Sequence, residues 1–474
     1  MRLLLILWIL VSVAWAQPLT LERVLTMASQ QHPKMRGVEL VRQMAEAKVT
    51  EKEGSFDPNL LLGTDFLRYN SPSAPGKPKL ANDHLLGVQI QDVAGWKLMT
   101  GYRLNQGEVK SPDSLTGQAG EFFLEFKLPL LRGLGVNEKQ TALEQAKVGR
   151  QLAEGLARVV RLEVLLSAAT AYWDWCAACT DLLLIERNLK LAEIRTGQVE
   201  ARAKAGDLPR IDVVEARQEL ERRQESLEKA RRNVQKTLFK LSLYLWNSQG
   251  QADRLPDPDQ ALLLFPKDPL AHLVPGTTRL AVEQAGPGES QLGEAELEAL
   301  RLRPELAQIQ FQREVVDLDR KLAENDRLPA FDLTLGPGLD MGAKSIGLTY
   351  KVGVQLTIPL ATRNADGRIQ GALLKSDKLE LDQVLEIQRI LSEVRDADSL
   401  LQTSRLRSHP ALRSLQLALQ LEEAERVKFE LGDSSLFLVN QRERASLNEA
   451  QKLVEIWADG LKGKAFFDAA VGRL

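Results

Sequence analysis

The 474-residue chain lacks most of the features that enzymes and nucleic-acid-binding proteins need. It has two cysteines, four histidines and a formal net charge of −2. A near-neutral charge gives no electrostatic basis for binding nucleic acid. The histidines are scattered at positions 32, 84, 272 and 409, and the sequence has no HExxH, Walker A or GxSxG motif. These absences argue against an enzyme and against a bound metal or cofactor.

The two cysteines, Cys176 and Cys179, form a CxxC pair inside a segment with a helical pattern. Redox CxxC pairs lie at the N-terminus of a helix, whereas these two lie well inside one. We therefore predict that both are small buried residues.

No run of 18 consecutive apolar residues follows the N-terminus, so the sequence predicts no transmembrane helix in the mature chain. At the N-terminus, Arg2 precedes an apolar run that ends at the small-x-small site Ala14-Trp15-Ala16. This pattern predicts a secretory signal peptide over residues 1–16. A membrane anchor is the alternative, but the run of about 14 apolar residues is shorter than the roughly 20 that span a bilayer. An exported chain can still enter a membrane as a closed β-barrel.

One stretch, SIGLTYKVGVQLTIPL at 345–360, alternates strictly between apolar and polar residues. Such a period of two predicts a strand. One face carries Ile346, Leu348, Tyr350, Val352, Val354, Leu356 and Ile358, and the other carries Gly347, Thr349, Lys351, Gly353, Gln355 and Thr357. The alternation alone leaves open whether the apolar face meets a protein core or lipid.

The chain contains two repeats, at 17–246 and 291–474. In the first, Pro33 lies 25 residues before Pro58, and in the second, Pro304 lies 25 residues before Pro329. A strand follows the second proline of each pair, and a further strand ends at another proline before a long helical segment. The predicted strands lie at about 59–69, 120–128, 330–336 and 346–358.

A helical hairpin is predicted at 137–246. Its first helix, from 137 to 205, has no proline and would be about 100 Å long. Apolar or small residues recur on it at heptad spacing: Leu182, Ile185, Leu189, Ala192, Thr196, Val199, Ala203 and Gly206. On the returning helix Val213, Leu220, Leu227, Val234 and Leu241 recur every seven. In the turn AGDLPRID, we expect Gly206 to end one helix, Asp207 to cap the next and Pro209 to lie in its first turn.

The second repeat predicts the same hairpin at 366–470, with an interruption near His409-Pro410. Gly432 is expected to end its first helix, and Asp433, Ser434 or Ser435 to cap the return. Residues 247–290, between the repeats, are rich in proline and glycine. This composition predicts a linker or a small irregular domain.

In this order, four stretches resemble the TolC-like outer-membrane efflux protein family: LTLERVLTMASQQHP, KLPLLRGLGVN, KAGDLPRIDVVEARQEL and FELGDSSLFLVNQRERASL. The resemblance implies a mainly α fold with a membrane β-barrel. Three copies would each give four strands to a shared 12-stranded outer-membrane barrel, and the hairpins would form a periplasmic α-helical tube. It also implies the outer membrane of a Gram-negative-type bacterium, with a periplasmic adaptor (membrane fusion) protein and an inner-membrane transporter as partners. The apolar face at 345–360 would then meet lipid.

The first repeat departs from this pattern at residues 84–106, which resemble an additional hairpin turning near Ala94-Gly95. The second repeat has only a short segment at the matching place. The extra hairpin could extend the extracellular loop or join the sheet.

The resemblance assigns the periplasmic tips to the two hairpin turns, where an adaptor would dock. The tip residues are Gly206, Asp207, Gly432, Asp433 and Ser434. Exposed tips on a rigid scaffold are natural contact surfaces.

Pore-facing acids in this family can lie six residues after the turn glycine. The first hairpin has Asp212 there and Glu215 three residues later, whereas the second has Leu438 and Gln441. The second hairpin therefore argues against an acidic ring. Asp212, Glu215 and Gln441 could face the pore or belong to a solvated helix face.

The sequence thus predicts a passive export duct of a tripartite efflux or type I secretion system, driven by a partner transporter. The alternative is a soluble periplasmic coiled-coil scaffold or adaptor, which would explain the helices but not the repeated alternating strands. The exported substrate cannot be read from the sequence.

Overall fold

The computed structural model describes residues 19–70, 75–110, 114–247, 249–252 and 289–474. The predicted signal peptide, 1–16, and most of the predicted linker, 247–290, lie outside the described residues.

The described helices occur in pairs, and the pair that ends each repeat is the longest. Two short helices precede the first strand, two precede the fifth, and a long hairpin ends each repeat. Their bounds are α1 Leu21–Gln31, α2 Pro33–Glu53, α3 Glu138–Ala205, α4 Arg210–Ser242, α5 Glu289–Leu302, α6 Pro304–Asp326, α7 Arg363–Glu430 and α8 Leu436–Val471. Among the described helices, none combines the length and apolar character needed to cross a membrane.

The strands form one antiparallel sheet, which in the described part of the chain is six-stranded with the order β1-β2-β3-β4-β5-β6. Their bounds are β1 Asn59–Asn70, β2 Pro78–Gln91, β3 Lys97–Gly107, β4 Glu121–Pro129, β5 Ala330–Asp340 and β6 Leu348–Thr357. Pro78 begins β2 and Pro129 ends β4, where a missing N–H does not break the ladder. Pro337, by contrast, lies inside β5 opposite Tyr350 of β6.

The additional hairpin is part of this sheet. It forms β2 and β3, which pair with β1 and β4 along their lengths. The structure therefore favours the second of the two alternatives left open by the sequence. The resemblance implies four strands per chain, whereas the described part of this chain has six, because the inserted strands satisfy their backbone groups within the ladder rather than in a loop.

Helix α7 is continuous through Pro410, so the predicted interruption near His409-Pro410 is wrong. A proline inside a helix removes one hydrogen bond and costs about 3 kcal/mol. On the N-terminal side of the proline, Ile390, Val394 and Leu401 of α7 are buried in the core. Pro410 itself is exposed.

The described residues divide into two compact units. The first comprises the described parts of Met1–Glu39, Ala157–Leu306 and Leu385–Leu474. The second comprises Leu40–Leu156 and Ala307–Val384 and contains the sheet. A small core cluster of Val316, Ala372 and Leu379 joins α6 to α7 in the second unit.

The largest core of the first unit surrounds Trp175, which is fully buried. Cys176 and Cys179 belong to this core, so the prediction that they are small buried residues is confirmed. Burial raises the pKa of Cys176 to about 12 and also raises the pKa of Cys179. Both are therefore thiols rather than thiolates at neutral pH.

The predicted heptad seam of the first hairpin is largely buried. Leu182, Ile185, Ala192, Thr196 and Val199 are buried on α3, and Leu227, Val234 and Leu241 are buried on α4. The seam ends before the turn, since Ala203 is only half-buried and Gly206 is exposed. Burial of one apolar stripe is what holds such a hairpin together.

Candidate functional site

One face of the sheet is mainly apolar, although Thr64, Asn82, His84 and Thr100 also lie on it. One row of paired residues crosses all six strands: Leu62, Leu86, Tyr102, Phe122, Leu339 and Leu348. We call this the common row. Because neighbours in a row point to the same side, these six side chains share one face.

This apolar face is exposed in the chain. On β6, Leu348 is 75% exposed, Val352 67% and Val354 62%, while Leu62 on β1 is 76% exposed. Isolated exposed apolar residues are ordinary, but a patch that covers a whole sheet face marks a surface that meets a partner or a membrane. The apolar face predicted for 345–360 is therefore the face that protein atoms of this chain leave uncovered.

The opposite face of the sheet carries charges in pairs. Lys127 Nζ lies 2.9 Å from Asp332 Oδ2, across β4 and β5. Lys351 Nζ on β6 donates to Glu125 Oε2 at 3.0 Å. Opposite charges on neighbouring strands stabilise a sheet and leave its polar face without a field of one sign.

Glu121, the first residue of β4, is buried on this polar face. Its side chain is 4% exposed, and Arg103 Nε on β3 donates to its Oε2 at 2.6 Å. Thr349 on β6 donates to its other carboxylate oxygen. A buried carboxylate needs such partners, because an unpaired charge is costly to remove from water.

The first hairpin turn is closed by Gly206. Its φ is +90°, in the left-handed region that favours glycine. The N–H of Gly206 donates to the carbonyl of Ala203 at 3.2 Å, and the N–H of Asp207 donates to the carbonyl of Arg202 at 2.9 Å. These two bonds form a Schellman motif, which satisfies the last carbonyls of α3.

The second turn repeats this geometry at Gly432, whose φ is +86°. The N–H of Gly432 donates to the carbonyl of Phe429 at 3.2 Å, and the N–H of Asp433 donates to the carbonyl of Lys428 at 2.9 Å. The left-handed glycines expected from sequence are therefore confirmed in both repeats.

The helix caps after the two turns differ. Pro209, not Asp207, is the N-cap of α4, and it makes no side-chain cap bond. The predictions that Asp207 caps α4 and that Pro209 lies in its first turn are both wrong, because the backbone at Pro209 is extended and the helix begins only at Arg210. After the second turn Ser435 is the cap, accepting from the N–H of Leu438, whereas Ser434 donates to Glu425.

The two hairpins contact each other beside their turns. Val199, Ala216 and Leu436 form a buried cluster drawn from α3, α4 and α8. The guanidinium of Arg202 lies 5.7 Å from the ring centre of Phe429. These contacts join the two repeats at the end where both hairpins reverse direction.

A buried network of charges, unforeseen from sequence, lies further along the same helices. Glu443 on α8 is 1% exposed. Its carboxylate accepts from Arg195 on α3 and, at 2.7 Å, from Nη2 of Arg223 on α4. Arg223 Nε also donates to Glu219 at 3.1 Å, and Arg444 Nε donates to the same carboxylate at 3.1 Å.

The arginines determine the ionisation of both acids in this network. Burial favours the neutral acid, but hydrogen bonds and charge from Arg195 and Arg223 keep the pKa of Glu443 below its ordinary value. Burial likewise opposes ionisation of Glu219, and Arg444 and Arg223 lower its pKa. The network is therefore ionised at neutral pH and links α3, α4 and α8.

Glu422 on α7 lies beside this network with the opposite tendency. Burial raises its pKa, and the nearby charge of Glu443 adds to this. Its carboxylate accepts from the hydroxyl of Ser446.

Solved structures similar to this chain are outer-membrane channels. The chain matches CusC, whose structures are described in terms of transmembrane channel formation, with a TM-score of 0.69, 15% identity, and coverage of 95% of this chain and 91% of that one. It matches the Campylobacter jejuni outer-membrane channel CmeC with a TM-score of 0.66, 16% identity, and coverage of 95% and 85%. It matches the Vibrio cholerae outer-membrane protein VceC with a TM-score of 0.66, 15% identity, and coverage of 95% and 96%.

The chain has the TolC-like outer-membrane channel fold. The likeness extends over 95% of its length, so it includes both repeats. No protein-family model and no curated protein matches the sequence.

Within this fold, the predicted tip residues Gly206, Asp207, Gly432 and Asp433 are exposed at the two turns, and Ser434 is half-buried. Their contact with an adaptor stays a prediction. In the single chain these residues are accessible to a partner protein.

None of the described hydrogen bonds joins two of the residues predicted to face the pore. Glu215 accepts from Asn440 Nδ2 at 3.5 Å, which joins the first hairpin to the second. Asp212 is half-buried and Gln441 is exposed. Among the hydrogen bonds described, neither takes part in that contact, and a pore-facing role for all three stays a prediction. In the described residues, no cluster of His, Cys, Asp or Glu is suited to hold a metal ion.

Proposed function

We propose that this chain is the outer-membrane channel of a tripartite efflux or type I secretion system. The observation that supports it most is the sheet, which leaves an apolar face uncovered and pairs the charges of its other face. A sheet in a soluble scaffold would cover that apolar face with other protein atoms. A membrane strand instead alternates apolar side chains toward lipid with polar side chains toward water.

In this function the chain is a passive duct. After export, the strands insert into the outer membrane, and the helical hairpins extend into the periplasm. The paired charges of the sheet line a water-filled passage, and no step of bond making or breaking is required. Energy for transport comes from an inner-membrane transporter, which also selects the substrate.

The proposed partners follow from the two open sheet edges and the two exposed turns in the described part of the chain. The outer edges of β1 and β6 lack a strand partner in the described part of the chain, and an open edge cannot be exposed to lipid. Copies of the chain, three by resemblance, would close the wall. A periplasmic adaptor protein would dock on the turns of Gly206, Asp207, Gly432, Asp433 and Ser434.

Val354→Arg and Gln355→Arg test this function as a matched pair on β6. Val354 lies on the apolar face and Gln355 on the polar face. An arginine near the bilayer midplane costs about 2–4 kcal/mol on the lipid face and much less on the water face. We expect Val354→Arg to reduce the amount of trimer in the outer-membrane fraction far more than Gln355→Arg does.

Fractionation of the unaltered protein supplies the second part of this test. An outer-membrane trimer that needs detergent for extraction supports the channel. A chain that fractionates with soluble periplasmic proteins would contradict it and favour the scaffold. Equal trimer yields from the two variants would show that the lipid-facing side is wrongly assigned.

A further inference from the structure

We propose that all six strands of each copy, including the β2–β3 hairpin, lie in the membrane wall, so that three copies enclose an eighteen-stranded passage. This inference rests on the proposed function and specifies the width of its pore. Four observations support it: the facing of the strands, their tilt, the buried charges of the polar face, and the anchoring of the β2–β3 turn.

The facing of β2 and β3 matches that of the other four strands. The common row passes through Leu86 on β2 and Tyr102 on β3 without a change of side. Closer to the β2–β3 turn, and on the same face, Ile90 pairs with Leu98, and Leu98 pairs with Phe126 on β4. A hairpin that folded into the passage would have no reason to place apolar residues on the lipid side.

The apolar band crosses the sheet at an angle. On β1 the band extends from Leu60 to Phe66 and is interrupted by Thr64. Its centre therefore lies next to Leu62 of the common row, on the side toward Phe66. On β6 it extends from Leu348, in that row, to Leu356, on the same side of the row as Leu60. The centre therefore shifts by about one residue per strand. With a rise of about 3.4 Å per residue and a strand spacing of about 4.8 Å, this is a tilt of about 35°.

Strands of outer-membrane barrels are tilted by about 35–45°. A band that stays level with the membrane must drift along the strands by this amount. The drift is distributed over all six strands only if β2 and β3 stand in the wall between β1 and β4.

The buried charges of the polar face also require β3 in the wall. Arg103 on β3 is the partner of Glu121 on β4, and Glu121 also accepts from Thr349 on β6. If the hairpin left the sheet, the nearly buried carboxylate of Glu121 would lose its cation. The hairpin therefore completes the lining of the passage.

The turn between β2 and β3 is anchored to the segment that leads into α3. The N–H of Gly135 donates to the carbonyl of Ala94 at 3.0 Å, and Asn137 Nδ2 donates to the carbonyl of Val93 at 2.8 Å. Gly95 has a φ of +101°, and a β-carbon there would lie 2.1 Å from the carbonyl oxygen of Gly133. Only glycine permits this close approach, which fixes the base of the hairpin.

The width of the passage follows from the strand number. At a spacing of about 4.8 Å and a tilt of about 35°, eighteen strands give a backbone radius of about 17 Å, against about 11 Å for twelve. The cross-section enclosed by the backbone is then about twice as large. The outer-membrane end would admit substrates wider than a twelve-stranded wall allows.

Two cysteine pairs that share Phe122→Cys test the position of the hairpin. Phe122 and Tyr102 are direct partners on β4 and β3, so Phe122→Cys with Tyr102→Cys lies within disulfide range, at about 4.5–5.5 Å between Cα atoms. Leu62 lies in the same row on β1, three strand spacings from Phe122, or about 14 Å. Phe122→Cys with Leu62→Cys should therefore not cross-link.

Cross-linking is measured on outer-membrane trimers by mobility with and without reductant, and the unaltered protein controls for Cys176 and Cys179. A disulfide in the Tyr102 variant and none in the Leu62 variant supports the proposal. A disulfide in the Leu62 variant would place β1 beside β4 and overturn it, as would the absence of both disulfides, while an outer-membrane trimer would leave the proposed channel function intact. Loss of the outer-membrane trimer from the unaltered protein would instead overturn the function itself. In lipid nanodiscs, cryo-electron microscopy should count eighteen strands, and a count of twelve would contradict the inference.

Discussion

Replacing Glu443 with glutamine should loosen the junction of the two hairpins. Glu443 is 1% exposed and neutralises Arg195 and Arg223, which are themselves buried. Removing one partner of a buried ion pair leaves an uncompensated charge and costs about 3–5 kcal/mol. Glutamine keeps the shape and one acceptor, so the effect reports the lost charge rather than a cavity.

The assay is amide hydrogen exchange of α8 and of the facing part of α3, compared with the rest of the protein. Exchange measures local opening, so a loss of about 3–5 kcal/mol corresponds to roughly a 150- to 5,000-fold loss of protection. The matched control is Glu449→Gln on the same helix, because Glu449 pairs with an exposed Lys452. Such a surface pair contributes about 0–1 kcal/mol. Equal effects of the two variants would show that the buried charge of Glu443 stabilises the junction no more than a surface ion pair does.

The same network predicts how protection depends on pH. The pKa of Glu443 is lower in the folded protein than its ordinary value of 4.5, and that of Glu219 is lower as well. Their stabilisation is therefore present above the ordinary pKa and is lost as the pH falls through the folded-state pKa. Protection of α8 should decline on acidification below about pH 4.5 in the unaltered protein and decline less in Glu443→Gln. Parallel pH profiles would contradict this assignment.

Three further predictions concern single sites. Burial raises the pKa of Glu422, so its contribution to stability is lost as the pH rises through that raised pKa, and Glu422→Gln should maintain or increase protection of α7 near pH 7; a large loss there would show that its charge is needed. Gly432 has a φ of +86°, so Gly432→Val should cost about 1–2 kcal/mol of local stability and reduce export while the trimer still forms. The control Gly371→Val, in a helix with open space at its β-carbon, should leave export unchanged. Normal export from Gly432→Val would mean that the turn is not a functional contact. Cys176 and Cys179 should resist a thiol reagent at pH 8 until the protein is denatured, because burial raises both pKa values, and rapid labelling of the native protein would contradict their burial.

Short-range patterns in the sequence predicted the repeated framework. The turn glycines were readable because a helix end without a β-carbon penalty has a local signature, and Gly206 and Gly432 form the same two hydrogen bonds. The alternation at 345–360 was readable because the strand period is two. Both signals depend on neighbours in the chain and need no knowledge of the fold.

The sequence alone could not show whether residues 84–106 form a loop or strands of the sheet, because strand pairing depends on partners far away in the chain. The pairing of Arg103 with Glu121 is one such long-range contact. The expectation of four strands per chain followed the resemblance and gave too little weight to this insertion. A hairpin with apolar residues on one face and paired charges on the other had the same alternation as the four strands that were predicted.

The buried network of Glu443, Arg195 and Arg223 was missed for another reason. Charged residues on a long helix usually belong to a solvated face, and a sequence does not reveal which of them a second hairpin will cover. The wrong cap at Asp207 was a local error, since either Asp207 or Pro209 can begin a helix and the backbone at Pro209 decides. The continuity of α7 at Pro410 was missed because the proline rule considers only the local backbone of the helix.

Accessibility along β6 distinguishes a sheet that forms the wall of an outer-membrane channel from a sheet that is surrounded by water. Single cysteines at positions 352 to 357 would carry a spin label in outer-membrane vesicles, and collisions with oxygen and with a water-soluble nickel chelate would be measured by electron paramagnetic resonance. In a channel wall we expect strict alternation, with Val352, Val354 and Leu356 accessible to oxygen and Gly353, Gln355 and Thr357 accessible to the chelate. Uniform accessibility to the chelate at all six positions would contradict it.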